Sequence, residues 1–144
     1  MRVASYTATV RNGINDMEAR DIILGAWLKF RGASVKITGI KEKELCTKYT
    51  DWQNIGLFRP ITLTVQMLLD NGFEYAGDKG HKMQMRKVTG KNMNITLLLH
   101  TGGVWSFRDG PKRRFRYLHE FQQGLAFCGR KDYIRLLEDF KYNG

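Results

Sequence analysis

Two blocks of alternating apolar and polar residues, each cut by short glycine-containing turns, constrain this chain more than any other feature. A period of two sends successive side chains to opposite faces of a strand and leaves no apolar stripe for a helix to bury. The first block reads Ile22-Ile23-Leu24-Gly25-Ala26-Trp27-Leu28-Lys29-Phe30, turns at Arg31-Gly32, continues as Val35-Lys36-Ile37-Thr38-Gly39-Ile40 and closes with Leu45-Cys46-Thr47-Lys48-Tyr49. Three short strands with tight connections make a β-meander, and strand twist curls such a unit toward a small open barrel, so residues 20–50 are expected to be SH3-like. The second block, residues 82–108, alternates through Lys82-Met83-Gln84-Met85-Arg86-Lys87-Val88 and turns at Thr89-Gly90-Lys91-Asn92. It runs on through the more apolar Asn94-Ile95-Thr96-Leu97-Leu98-Leu99-His100, turns at Gly102-Gly103 and ends with Val104-Trp105-Ser106-Phe107-Arg108, a second antiparallel meander.

Between the blocks lies a short helix, expected over 64–71, with both ends written into the sequence. Thr64 can accept a hydrogen bond from a first-turn amide and Leu63 can staple onto Leu68. Gly72 supplies a left-handed residue and Phe73 folds back onto Leu68. After Pro111, Leu118, Phe121, Leu125 and Cys128 form a helical stripe, interrupted by Gly124 and stopped by Gly129. A final helix runs from Lys131 to about Lys141, with Tyr133, Leu136, Leu137 and Phe140 inward and Arg130, Asp132, Arg135, Glu138 and Asp139 outward, so helices occupy 115–141. Trp27, Phe73, Phe121, Phe127 and Phe140 sit on periodic faces and are expected in the core. Residues 1–16 hold one alternation, Tyr6-Thr7-Ala8-Thr9-Val10, a strand or a loose arm. No repeat, low-complexity tract or long linker divides the chain. The expectation is an α+β fold in one compact domain over residues 1–144.

No apolar run approaches the roughly 20 residues of a membrane span, and the N-terminus leads into no signal-like apolar stretch, so neither a membrane nor secretion is expected. Two cysteines, Cys46 and Cys128, are too few for a disulfide framework or a thiolate cage. His81, His100 and His119 lack the spacing that puts two ligands on one helix face, so no metal is expected. Gly90-Lys91 resembles the end of a phosphate loop, but Met85 stands where its first glycine belongs and Asn92 where a hydroxyl belongs. Cys128 with His119 is conceivable as nucleophile and base, yet the stripe places Cys128 in the core. Asp51, Asp70 and Asp109 each adjoin a turn or cap. No catalysis and no cofactor are expected.

The charge is more informative. Twenty-four Lys and Arg against fourteen Asp and Glu give a formal +10. Residues 79–91 carry Lys79, Lys82, Arg86, Lys87 and Lys91 and no acid, and residues 108–116 carry Arg108, Lys112, Arg113, Arg114 and Arg116 opposed only by Asp109. Like charges this dense are either a solvated face or the footprint of a polyanion. Trp105, Phe107, Phe115 and Tyr117 interleave with the second run, and Trp105 and Trp52 are the two candidates for exposed stacking platforms.

Three stretches also carry a resemblance: Asp21-Ile22-Ile23-Leu24-Gly25-Ala26-Trp27 with Val35-Lys36-Ile37-Thr38-Gly39-Ile40; Pro60-Ile61-Thr62-Leu63-Thr64 with Leu68-Leu69-Asp70-Asn71-Gly72-Phe73; and Tyr117-Leu118-His119-Glu120-Phe121-Gln122 with Ala126-Phe127-Cys128-Gly129. In order and spacing, over about residues 20–130, the chain resembles a family of small uncharacterised proteins from Bacteroidetes genomes and their phages and mobile elements. Members begin near the equivalent of Met17 and stop soon after that of Gly129, so the first residues and the last helix look like additions. The resemblance implies an accessory protein of a phage or mobile element, acting in the bacterial cytoplasm or carried in a virion, and implies no reaction.

The expected function is therefore non-enzymatic binding of nucleic acid, mainly by phosphate contacts, through Lys79, Lys82, Arg86, Lys87, Lys91, Arg108, Lys112, Arg113, Arg114, Arg116 and Trp105. Two other readings are an interaction module, a virion component or antagonist of a host system, whose basic face meets an acidic protein, and sequestration of a small acidic nucleotide in a basic pocket.

Overall fold

Alternation is realised as strands in both blocks. The structure, a computed structural model, describes residues 17–143; the alternation at 6–10 lies outside them. The fold is α+β: two antiparallel sheets of five and four strands, with helices concentrated after the second. Read from sequence as one domain, the chain divides into two compact units, residues 17–61 of the described chain and Thr62–Asn143. The boundary needs no linker, because it falls beside Pro60 where neither unit's sheet continues.

In the first unit β1 (Trp27–Phe30), β2 (Ala33–Ile40), β3 (Glu44–Thr47), β4 (Thr50–Asn54) and β5 (Phe58–Arg59) lie in the order β4-β3-β2-β1-β5. Arg31 and Gly32, both at positive φ, close the β1–β2 hairpin. The first half of β2 pairs with β1; from Ile37 onward, across an irregularity between Ile37 and Gly39, its second half pairs with β3. Ile22, Ala26, Leu28, Phe30, Ile37, Leu45 and Phe58 form the core, with the Phe30 and Phe58 rings 4.8 Å apart. In this unit β4 and β5 have no counterpart in the alternating blocks. The run Leu45 to Tyr49 turns at Lys48-Tyr49, where the Thr47 hydroxyl accepts from the amides of Tyr49 and Thr50, each at 3.1 Å, and β4 returns from there. Trp52, a candidate stacking platform, thus lies within a strand.

The second unit opens with α1 (Val65–Asp70), capped as its sequence requires: Thr64 Oγ1 accepts from the amide of Met67 at 3.2 Å, and the amide of Phe73 donates to the carbonyl of Leu68 at 3.0 Å across Gly72. Then come β6 (Glu74–Lys79), β7 (Lys82–Gly90), β8 (Met93–His100) and β9 (Val104–Phe107), paired in sequence order, and α2 (Leu118–Cys128) and α3 (Lys131–Asp139). One face of the sheet carries Met85, Leu97 and Phe107 in register. Phe107 packs its ring 5.2 Å from Phe115, 5.8 Å from Phe121 and 5.5 Å from Tyr133. The helix-breaking Gly124 has a reason: a Cβ there would stand 2.6 Å from Cε2 of Phe107. Two outward–inward assignments reverse. Phe127, expected in the core, falls off the α2 stripe and is 71% exposed. Asp132, expected outside, is buried because Arg130 and Thr89 bind its carboxylate.

Candidate nucleic-acid interface

The basic residues sort by strand parity. In β7, Lys82, Gln84 and Arg86 point to the face opposite Met83, Met85 and Lys87. Across the β6–β7 turn Lys79 stands directly opposite Lys82, a like-charged pair that costs stability rather than adding to it. Arg86 pairs with Thr96, and the Arg108 amide donates to the Thr96 carbonyl at 2.9 Å, so Arg108 joins the same row. Its guanidinium donates to Gln84 Oε1 at 3.3 Å.

The second basic run reaches this face through an isolated bridge. Trp105 and Phe115 exchange amide-to-carbonyl bonds of 2.8 and 2.9 Å, which extends the sheet beyond β9. Phe115 then shares the core face with Trp105, and Arg114 and Arg116 fall on the other. Arg116 Nη1 donates to the carbonyl of Gly102 at 2.7 Å, which holds the arginine beside the β8–β9 turn. His100 records the convergence. Its imidazole Nε2 lies 2.7 Å from Ser106 Oγ, and its pKa is lowered first by burial and then by the positive charges of Arg114 and Lys82. Lys79, Arg86, Arg108, Arg114 and Arg116 are exposed and Lys82 half-buried, and none of the six makes an ion pair among the described residues.

The other expected site residues go elsewhere. Trp105 is no stacking platform: it is 1% exposed, with Nε1–H donating to the carbonyl of Leu63 at 3.3 Å, because its strand parity turns it into the core. Phe107 and Phe115 are buried with it. Lys87, of opposite parity to Lys82 and Arg86, donates from Nζ to the carbonyl of Asn71 at 2.8 Å on the far side of the sheet. Lys91 is in the β7–β8 turn, and Lys112 is exposed in the segment after β9. Arg113 turns to α2, where Nη1 donates to Gln123 Oε1 at 3.2 Å and Nη2 is 3.7 Å from Glu120 Oε2. Trp52 is half-buried, its ring covered by Lys41 Nζ at 4.1 Å.

Reading alternation in 104–108 and 113–117 together would have separated Trp105 and Phe115 from Arg114 and Arg116; the bridge that aligns the two segments has no local signature. His100 was missed as a member of this face for the same reason. Among the described residues no three His, Cys, Asp or Glu side chains gather as metal ligands, and no helix is long and apolar enough to cross a membrane. No protein family, no curated protein and no solved structure matches the chain.

Proposed function

We propose that this protein binds nucleic acid without catalysing a reaction on it, using the outer face of the β6–β9 sheet as a phosphate-binding surface with little sequence preference. The observation that carries this reading is the gathering of Lys79, Lys82, Arg86, Arg108, Arg114 and Arg116, from two separate basic runs, on one sheet face where, among the described residues, none of them makes an ion pair and a single carboxylate, Glu74, stands across the strands from Arg86. Such a surface meets a polyanion by exchanging counterions for Lys and Arg, and with Trp105, Phe107 and Phe115 turned into the core the contacts are to phosphates rather than bases. Within this reading the protein is an accessory factor of a phage or mobile element, working in the bacterial cytoplasm or in a particle. The N-terminal unit is read as SH3-like, supported by a β2 shared between two sets of pairings and by the single helical turn Ile55–Leu57 before β5.

A salt titration tests it. With five or six phosphates neutralised, log K for a duplex falls with log salt at a slope of about −5. Binding with a flat slope contradicts the proposal. So does recovery of one stoichiometric acidic protein from nuclease-treated host lysate in place of nucleic acid, which would make the same face a protein-docking surface.

A further inference from the structure

On the other side of the sheet from the basic face, a cleft of about 610 Å³ opens between the β7–β8 hairpin, the end of α1 and α3. That volume is within the range of small-molecule sites, about 300–1,000 Å³. Lys87 lines it, and its half-buried ammonium has one hydrogen-bond acceptor among the described residues, the carbonyl of Asn71, so two of its three N–H groups remain for a ligand. Arg135 and Lys141 add positive charge, whereas Val88, Met93 and Leu136 make an apolar wall. Of the carboxylates in the lining, Asp132 is already saturated: it accepts from Arg130 Nη2 at 2.6 Å, Thr89 Oγ1 at 2.7 Å and the Tyr133 amide at 3.0 Å. Asp70 accepts from Gln66 at 2.8 Å, and the third carboxylate, Asp139, leaves the lining with four cations, Lys87, Lys131, Arg135 and Lys141, against three acids. Val88 is 73% exposed and Met93 42%, an apolar pair next to cations that solvation alone does not call for.

We infer that this cleft binds a nucleoside phosphate, its phosphate on Lys87, Arg135 and Lys141 and its base against Val88, Met93 and Leu136. The cations of the site are distinct from those of the sheet face, because Lys87 has the opposite strand parity to Lys82 and Arg86, and Arg135 and Lys141 belong to α3 and the segment after it. Bound there, the ligand touches β7, α3 and the segment after it, and stabilises the second unit by occupancy.

The test uses the full chain, with AMP, GMP, CMP and UMP and their diphosphates as probes and inorganic phosphate as the comparison, read by thermal shift and calorimetry. At least one nucleoside phosphate raises Tm, phosphate at equal concentration does not, and Lys87→Met and Arg135→Ala each weaken the affinity about tenfold through loss of a charge-assisted contact. Arg135 is exposed, so its variant keeps the test intact if Lys87→Met folds poorly. Lys82→Ala with Arg114→Ala leaves nucleotide affinity unchanged. The inference fails if no nucleoside phosphate shifts Tm, if phosphate alone shifts it equally, if Arg135→Ala leaves the affinity intact, or if the Lys82/Arg114 variant abolishes it. Duplex affinity measured on the same variants separates failure here from failure of the sheet-face proposal.

Discussion

Lys82 of β7 and Arg114 of the segment paired to β9 bear on the same imidazole, that of His100, and together with burial they lower its pKa. Replacing both with alanine therefore raises the His100 pKa toward its ordinary value of about 6.5, without fully reaching it because burial remains. A saturating duplex, whose phosphates offset the same two charges, raises it as well. Side-chain NMR titration reads both effects, and a His100 pKa indifferent to the variant and to the duplex contradicts the placement of the two cations.

Acid sensitivity follows from Asp132. Burial pushes its carboxyl pKa up, but the hydrogen bonds from Arg130 and Thr89 and the charge of Arg130 outweigh that and hold it below the usual carboxylate range. A group depressed in the folded state contributes stability that is whole above its unfolded pKa, about 3.9, and lost as pH falls through the lower folded value. Asp132→Ala removes this contribution, takes away the acceptor of the Thr89 hydroxyl and leaves the Asn94 carbonyl as the acceptor of Arg130. Its expected cost is about 2–3 kcal/mol at neutral pH, and the acid limb of the stability profile flattens. Urea unfolding across pH checks it; a variant as acid-sensitive as the parent overturns it.

Gly124→Ala would stabilise an ordinary exposed helix by up to about 1 kcal/mol. Here the added methyl meets Cε2 of Phe107, whose ring is held by Phe115, Phe121 and Tyr133 and has nowhere to move. The expected result is a net loss of about 1–2 kcal/mol, measured as a lower urea midpoint. A stabilised variant would show that the aromatic cluster yields.

Asn71 and Lys141, seventy residues apart, exchange two hydrogen bonds: Asn71 Nδ2 donates to the Lys141 carbonyl at 2.9 Å and the Lys141 amide donates to Asn71 Oδ1 at 2.7 Å. A third bond, Nδ2 to the Met67 carbonyl at 2.8 Å, ties the same amide to α1. Asn71→Ala is expected to cost about 2–3 kcal/mol and to lose hydrogen-exchange protection first at the Lys141 amide. Retained protection at Lys141 contradicts that role.

Local chemistry made much of this readable. Thr64, Gly72 and Phe73 specify both ends of α1, and the α2 stop at Gly129, φ 77°, is a left-handed residue where one was expected. Alternation located β7, β8 and β9. What escaped depends on distant partners. β6 has few apolar residues and two glycines within or just after it, and is a strand because β7 pairs with it. Asp132 is inside because Thr89, forty-three residues away, and Arg130 meet it. The same limit applies to the site: composition marked ten basic residues, but only the β9 bridge from Trp105 to Phe115 decides that Arg114 and Arg116 join Lys82 and Arg86 while Arg113 turns to α2.

The most direct test of the sheet-face proposal compares two triple variants that remove the same net charge from different places. Lys82, Arg86 and Arg114 changed to alanine take three cations from the face; Lys91, Arg113 and Lys131 changed to alanine take three from elsewhere on the same unit. Duplex affinity is measured against salt concentration for each. The expected result is that the first variant loses most of its affinity and that its log–log slope becomes shallower by about 3, with the second close to the parent. Equal losses in the two variants would mean that binding follows net charge alone, and would contradict the proposal.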